Sequence, residues 1–424
     1  MTQPKSVVLV IDKYSQDAHL AYLTAGVKYP VKYNYQNQTI EYTKEFFSIL
    51  ADLSNIEVGT RIFFYRRRID EPPYQRGFLG EWKVDTLPYE DLSTHLAYNN
   101  SVILGSCPKC RCPVSKLEER EPRCEGCKAT LQGHILPLRF ALQPLRIYPK
   151  YLDDNTAYID ITDQGRLSTL IFRKIYGAGR ERSINPILPE ESEKLTRLLA
   201  KQASSPYASP VQIPIPILHH RLLLNPTPIT HYLDFKTQYN FSKWGRSHLY
   251  NADGKLLYET ILEFWLIHNL TQRGKQMLRV FDIPCSETIE WFSNQVLFGI
   301  GGEKSDVLVL TKDDTGCRVR AIVIELKRQS ITAETISQVN TYAYWIAQMV
   351  TSGVMYASQT RVRNPFTITP IAIGFKLSRN IQSFPNFTFQ IPYSQPLTVD
   401  VETPRLYTYT INSSANTLEL KRIR

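Results

Sequence analysis

The sequence places a carboxylate and an ammonium two residues apart at the end of an otherwise apolar segment, Arg318–Lys327 (RVRAIVIELK). Because side chains alternate across a strand, Glu325 and Lys327 are predicted to share one face of a buried strand. Burying charge there is costly unless the group is paired or holds a metal ion. Asp306 begins an earlier apolar segment, SDVLVL, and a hairpin joining the two segments would bring its carboxylate to Glu325.

These three residue types together suit hydrolysis of a phosphodiester bond. Two hard oxygen ligands, from Asp306 and Glu325, with open positions for water and phosphate favour Mg²⁺, or Mn²⁺, as a catalytic metal. Such a metal neutralises phosphate charge and lowers the pKa of a bound water. Lys327 would orient or activate that water and stabilise the developing negative charge. The pattern therefore predicts a metal-dependent nuclease.

The order Asp306, then Glu325-Leu326-Lys327, resembles the PD-(D/E)xK nuclease superfamily. Ser305 stands where many members have a proline before the aspartate. The resemblance implies an α/β catalytic domain, restriction-endonuclease-like, with a mixed sheet flanked by helices. It does not identify the substrate.

Two flanking helices are predicted to complete this site. The helix after the Glu-x-Lys strand carries Gln338 and Tyr342, similar to the QxxxY element of many members. The helix before the hairpin carries Glu259 and Glu263, one turn apart on nearly the same face. Either of them matches the superfamily's first-helix glutamate, and the spacing does not separate the two.

A second set of chemically distinctive residues is a pair of CxxC motifs, Cys107–Cys110 and Cys124–Cys127. Two such turns point four thiolates at one centre, which predicts a closed, structural zinc ribbon over about 104–135. Cys112 beside the first motif is an alternative ligand to Cys110. We expect elemental analysis of protein purified without chelator to find about one zinc per chain. A zinc-free preparation would contradict the motif's interpretation.

The N-terminal segments Val58–Tyr65 and Gly77–Val84 are rich in aromatic and β-branched residues. Together with Leu170–Arg180 they resemble the PUA-like group, which includes EVE and ASCH domains. That resemblance implies a small twisted barrel with a pocket for a flipped, modified base. Tyr65 and Trp82 are the base-reading candidates, because each combines a large ring with a polar atom.

The chain is basic, with a formal net charge of +10 and a pI near 9.1, which favours a polyanionic partner. The predicted partner is double-stranded DNA, possibly modified. Several basic residues lie in two runs that would hold the DNA backbone: Arg66, Arg67, Arg68, Arg173, Lys174, Arg180 and Arg182.

At 424 residues, the chain predicts more than one domain. The expected divisions are a PUA-like recognition domain (1–202), a proline-rich linker (203–235), a nuclease domain (236–395) and C-terminal strands with a basic tail (396–424). Within the nuclease domain the pattern predicts helices at 255–271 and 332–350, and strands at 277–283, 295–300, 305–310, 318–327 and 368–376. No apolar run is long enough to cross a membrane, and no signal peptide is evident, so a cytoplasmic, nucleoid-associated protein is expected.

A domain that recognises a modified base, combined with a nuclease domain, predicts a modification-dependent restriction endonuclease that acts on foreign DNA. The alternatives are a repair nuclease for mismatched or branched DNA and, in another class, a nucleic-acid-binding protein whose nuclease fold is inactive. RNA remains open as a substrate. Double-strand cleavage needs two sites, which favours a homodimer.

Overall fold

The computed structural model divides the chain into two compact units. One comprises residues 1–49, 56–157 and 195–240, and the other comprises residues 50–55, 158–194 and 241–424. The structure describes residues 5–11, 16, 19–20, 23–27, 31–34, 39–66, 76–91, 138–146, 151–153, 156–157, 183–202, 232–234, 246–298, 303–351, 361–379, 381, 398–412, 414 and 417–423. Each unit is described here by itself.

The N-terminal unit is rich in β-structure. Its strands are β1 (Ser6–Ile11), β2 (Thr24–Val27), β3 (Val31–Asn34), β4 (Thr39–Tyr42), β5 (Arg61–Arg66), β6 (Gly77–Val84), β7 (Tyr89–Asp91), β8 (Leu138–Arg146) and β10 (Tyr232–Asp234). They form a sheet in the order β10-β7-β8-β6-β5-β1, with β2 on β8, while β3 and β4 pair separately. Helix α1 (Lys44–Ser54) begins in this unit, and helix α2 (Pro189–Gln202) ends in it.

Aromatic side chains fill the core of this unit. Phe63, Phe64 and Phe78 are fully buried on β5 and β6. The near-continuous apolar run Ile62–Tyr65 is typical of a strand that is buried on both faces, and β5 is buried throughout this run. On α2, Leu195 and Leu198 are buried on one stripe, as their spacing predicts.

The C-terminal unit is a mixed sheet with helices packed on it. Its strands are β11 (Thr288–Phe298), β12 (Glu303–Lys312), β13 (Arg318–Leu326), β14 (Ser330–Ile331), β15 (Val362–Gly374), β16 (Lys376–Leu377), β17 (Val399–Val401), β18 (Arg405–Asn412) and β19 (Thr417–Arg422). The short strand β9 (Ile184–Ile187) also falls in this unit but is not part of these sheets. Its complete helices are α3 (Arg246–Leu249), α4 (Glu259–Val280) and α5 (Ala333–Thr351).

The main sheet of this unit has the order β11-β12-β13-β15-β18-β19, with β17 on β15. Strands β11, β12 and β13 are antiparallel, whereas β13, β15 and β18 are parallel. A parallel pair needs a long crossover, and α5 provides it between β13 and β15. Helix α5 packs on β13 and β15, and helix α4 packs on β11 and β13.

Strand β13 is the centre of this sheet, and all of its residues are buried. Ala321 and Val323 belong to the apolar cluster under α5, together with Val339, Ala343 and other residues of that helix. The alternate residues of β13 are equally buried: Ile322, Ile324 and Leu326. The predicted apolar strand and the predicted core stripe of α5 are both confirmed.

Two sequence-based expectations for this unit are wrong. Residues 277–280 are helical, because α4 continues to Val280 after its backbone leaves helical geometry at Arg273. Met277 and Leu278 are buried on that second helical segment, and a short apolar run does not by itself distinguish strand from helix. The predicted boundary at residue 395 is also crossed, because β17 and β18 join β15 in the same sheet.

The expected linker, 203–235, is described only at β10. That strand pairs with β7, so this part of the stretch belongs to the N-terminal sheet. Among the described residues, no helix combines the length and apolar character that crossing a membrane requires.

Candidate active site

The predicted hairpin is confirmed, and it brings Asp306 to the Glu-x-Lys strand. Strands β12 and β13 pair in antiparallel register, with Val307 opposite Ile324. Beyond this pair, the carboxylate Oδ2 of Asp306 accepts the Leu326 N–H at 2.7 Å. The main-chain pairing of β12 and β13 ends here, and the Asp306 side chain provides the next hydrogen bond between the two strands, beside Glu325.

Glu325 and Lys327 form a close ion pair at the end of β13. Nζ of Lys327 donates to Oε1 of Glu325 at 2.5 Å, with Glu325 buried and Lys327 partly exposed. The other oxygen, Glu325 Oε2, is buried and no N–H donor of the described residues reaches it, although the Asp306 carboxyl lies close enough to share a proton with Glu325. Burying a carboxylate oxygen without a donor is costly, and a bound cation would satisfy it.

The pKa values of the carboxyl groups at this site, Asp306 and Glu325 above all, are shifted from their usual range. Burial raises the pKa of Asp306 well above its usual range, and the nearby Glu325 and Glu259 carboxylates raise it further against the Leu326 N–H. Burial also raises the pKa of Glu325, although the hydrogen bond and charge of Lys327 oppose this. Burial alone would lower the pKa of Lys327, but its hydrogen bond to Glu325 and the charges of Glu325, Glu259 and Asp306 together raise it. A divalent cation would relieve the same repulsion.

The structure places both first-helix glutamates at this cluster, in different ways. Glu259, the first residue of α4, accepts the Arg328 N–H at 3.1 Å, and burial raises its pKa against the lowering charge of Lys327. Glu263, one turn later and buried, is bonded to side chains of β11. Glu259 thus lies at the lysine end of the site, and Glu263 at the aspartate end.

The predicted helical pair also reaches the site. Nε2 of Gln338 donates to the Tyr342 hydroxyl at 2.6 Å, one turn apart on α5. Burial raises the pKa of Tyr342 to about 12, and the charges of Glu325 and Asp306 contribute to the shift. Tyr342 therefore stays protonated and faces the acid cluster from the α5 side.

Sequence reasoning missed two amide side chains of β11. Nε2 of Gln295 donates to Oδ1 of Asp306 at 3.1 Å and to Oε2 of Glu263 at 3.3 Å. Nδ2 of Asn294 donates to Oε1 of Glu263 at 2.7 Å and to Oδ1 of Asp52, in the last turns of α1, at 2.8 Å. Their one available signal is two consecutive amides in a strand that is otherwise largely apolar, which is too common to identify a site.

Sequence reasoning also missed Tyr409, whose hydroxyl group holds the backbone that follows Lys327. The Tyr409 hydroxyl of β18 donates to the Arg328 carbonyl at 2.7 Å, and Nε of Arg328 donates to the Leu256 carbonyl at 2.7 Å. Arg328 directly follows Lys327, and its N–H binds Glu259. The C-terminal strand therefore fixes the backbone that follows Lys327.

The donor set fits a hard divalent cation. Asp306 and Glu325 offer carboxylate oxygens, one of them reached by no N–H donor of the described residues, and Glu259 and Glu263 add negative charge beside them. In the part of the chain that the structure describes, no set of three or more His, Cys, Asp or Glu side chains forms a ready-made metal cage. Mg²⁺ is often held by one or two carboxylates, with water and phosphate supplying its other ligands.

The base-reading candidates of the N-terminal unit are core residues. Trp82 and Tyr65 are both 0% exposed. Trp82 packs on Phe64 with ring centroids 4.5 Å apart, and Tyr65 packs on Phe78 at 4.8 Å. Neither ring leaves a face for a base, which corrects the prediction that they stack on one.

One of the predicted backbone-binding residues is corrected in the same way. Arg66 is 0% exposed and donates from Nη1 to Oε1 of Gln16 at 3.0 Å, so it stabilises the interior and has no access to phosphate. The other predicted backbone-binding residues and the predicted zinc ligands lie outside the described residues: Arg67, Arg68, Arg173, Lys174, Arg180, Arg182, Cys107, Cys110, Cys112, Cys124 and Cys127.

No protein-family model matches this sequence, and no curated protein matches it. Solved structures share similarity with about half of the chain. A hypothetical protein from Leishmania major has 14% identity and a TM-score of 0.26, covering 47% of this chain and 97% of that one. A Pseudomonas putida protein has 17% identity and a TM-score of 0.25, covering 46% and 98%.

The human THYN1 protein, solved in complex with 5-methylcytosine containing DNA, has 12% identity and a TM-score of 0.23, covering 46% of this chain and 96% of that one. At this level of similarity, the functional proposal depends on the residues of this chain.

Proposed function

We propose that the C-terminal unit is a Mg²⁺-dependent nuclease that hydrolyses a phosphodiester bond. The observation that supports it most is the convergence of Asp306, Glu325 and Lys327 at the end of one hairpin, with Glu325 Oε2 buried and reached by no N–H donor of the described residues. Asp306 and Glu325 would hold the metal, which supplies charge neutralisation and an acidified water. Lys327, held by Glu325, would orient the attacking water and stabilise the charge that develops on phosphate.

The proposed substrate is double-stranded DNA, and the proposed role is restriction of modified foreign DNA. Carboxylates and a lysine act on phosphates, which carry no sequence information. Selection must therefore come from elsewhere, and the N-terminal unit is the proposed reader. Since Tyr65 and Trp82 are core residues, the base-contacting groups of this reader would be side chains other than these two.

A cleavage assay on matched plasmids tests the proposal. We expect the purified protein to cut DNA in the presence of Mg²⁺ or Mn²⁺ and to be inactive in EDTA. A plasmid that carries modified cytosines should be cut faster than the same plasmid without the modification. Preference for a mismatched or branched duplex of the same sequence would favour repair instead of restriction. Absence of metal-dependent cleavage of every DNA and RNA substrate would contradict the nuclease proposal.

A further inference from the structure

One residue near the proposed metal ligands has an unusual backbone. Gln295 has a φ of 50°, the left-handed region that a non-glycine residue seldom adopts. The register of β11 and β12, Asn294 with Val307 and Val296 with Ser305, places Gln295 opposite Asp306. Strained backbone of this kind persists where the surrounding structure requires it, and it clusters at functional sites.

At Gln295 the left-handed backbone interrupts the alternation of side chains between the two faces of β11. Trp291 and Val296 lie in the same core cluster. Five residues apart, a regular strand would put them on opposite faces. The alternation is therefore interrupted between these two residues, where Gln295 lies, and the Gln295 amide bonds both Glu263 of α4 and Asp306 of β12.

We propose that Gln295 is a positioning residue for the metal: its side-chain amide, aimed by the left-handed backbone, holds Asp306 and Glu263 in the arrangement that receives the cation. This proposal rests on the proposed nuclease function. It gives a role to a residue that is not part of the Asp, Glu-x-Lys pattern. Gln295 acts through the carboxylates and not on the substrate.

The chemistry of an amide suits this role better than that of a cationic side chain. An amide nitrogen carries two hydrogens, so it can donate one to each of two carboxylates. A lysine in the same place would order the carboxylates but cancel the negative charge that attracts a divalent cation. Gln295 orders them and leaves that charge in place.

The neighbouring Asn294 anchors the far side of the arrangement. Its amide joins Glu263 to Asp52 of α1, and all three side chains are buried. A continuous series of hydrogen bonds thus runs from Asp52 through Asn294, Glu263 and Gln295 to Asp306. Glu263 is held by two amides, one on each oxygen, and this limits its freedom to turn away from the site.

Direct metal binding by the full-length protein tests the proposal. Gln295→Gly is the informative variant, because glycine adopts a positive φ without strain, so the side chain with its amide is removed while the backbone conformation is kept. We expect Mn²⁺ affinity, followed by the electron paramagnetic resonance signal of free Mn²⁺, to fall by about 10- to 100-fold, the range seen when partners of metal ligands are removed. The Mg²⁺ concentration for half-maximal cleavage should rise by a similar factor, with a smaller change in kcat at saturating Mg²⁺.

Gln295→Asn keeps two amide hydrogens and tolerates the left-handed backbone, so it should recover part of the affinity. Gln276→Gly, at an exposed position of α4, is the matched control. It should lower the stability of the helix without changing Mn²⁺ binding.

Two results would overturn the inference, and they differ. If Gln295→Gly binds Mn²⁺ as tightly as the wild type, the positioning role is wrong and the nuclease proposal stands. If the wild-type protein itself binds no Mn²⁺ or Mg²⁺, the proposed metal site fails, and the inference fails with it.

Discussion

Replacing Lys327 with alanine is expected to lower the rate of Mg²⁺-dependent cleavage by about 10²- to 10³-fold, the usual cost of removing one group that stabilises transition-state charge. The reason is its place: Nζ lies 2.5 Å from Glu325 Oε1, partly exposed at the end of a buried strand. Single-turnover cleavage at saturating Mg²⁺ measures the effect, because it separates chemistry from substrate binding.

The companion variant Glu325→Gln should behave differently. It removes a proposed metal ligand, so both cleavage and Mn²⁺ binding should be lost, whereas Lys327→Ala should still bind Mn²⁺. Lys275→Ala, an exposed lysine on α4, is the control and should cleave at the wild-type rate. Near-normal Mg²⁺-dependent activity in both Lys327→Ala and Glu325→Gln would remove the assignment of this centre.

The second large effect is on stability. Arg318 of β13 is 2% exposed and donates to Glu290 through Nε at 2.6 Å and to Glu190 through Nη2 at 2.8 Å. Arg318→Met would leave two largely buried carboxylates without their cation. Breaking a buried ion pair from one side costs about 3–5 kcal/mol, so the free energy of unfolding of the C-terminal unit should fall by about that much.

Urea denaturation followed by circular dichroism measures this change. Arg361→Met, at an exposed position just before β15, makes the same substitution where no burial is involved and should cost about 0.5 kcal/mol or less. Adding Glu190→Gln and Glu290→Gln to Arg318→Met should restore part of the loss, because the uncompensated charges are removed. An unfolding midpoint unchanged by Arg318→Met would show that the network contributes little.

The hairpin and its three polar residues could be predicted from sequence because each depends on local information. Strand alternation places Glu325 and Lys327 together, and a short polar turn leaves few ways to pair the two apolar segments. The core face of α5 follows from helical spacing in the same way. What these predictions share is that the interacting groups are close in the chain or in the same element.

The rest of the site could not be predicted, for two physical reasons. The left-handed backbone of Gln295 has no sequence signature, since glutamine seldom adopts it. Asp52 and Tyr409 come from positions more than 80 residues from their partners Asn294 and Arg328, and single-sequence patterns carry no information on such pairings.

The predictions that Trp82, Tyr65 and Arg66 contact DNA were wrong for a related reason. The large ring and polar atom that make Trp82 or Tyr65 suitable for stacking on a base also make them suitable for filling a core. Arg66 belongs to a run of three arginines, yet its position at the end of β5 buries it. Residue type predicts what a side chain can do, and only its position shows whether it is accessible.

The place of Tyr409 in the site has a consequence for biosynthesis. Strand β18 pairs with β15 and its tyrosine binds the carbonyl of Arg328, so the backbone beside Lys327 is not fixed until residues 405–412 have left the ribosome. Asp306, Glu325 and Lys327 are translated earlier than β18, the strand whose tyrosine holds the backbone that follows Lys327. A ribosome-bound nascent chain that lacks this strand would therefore carry all the proposed catalytic residues without the tyrosine hydrogen bond to the Arg328 carbonyl.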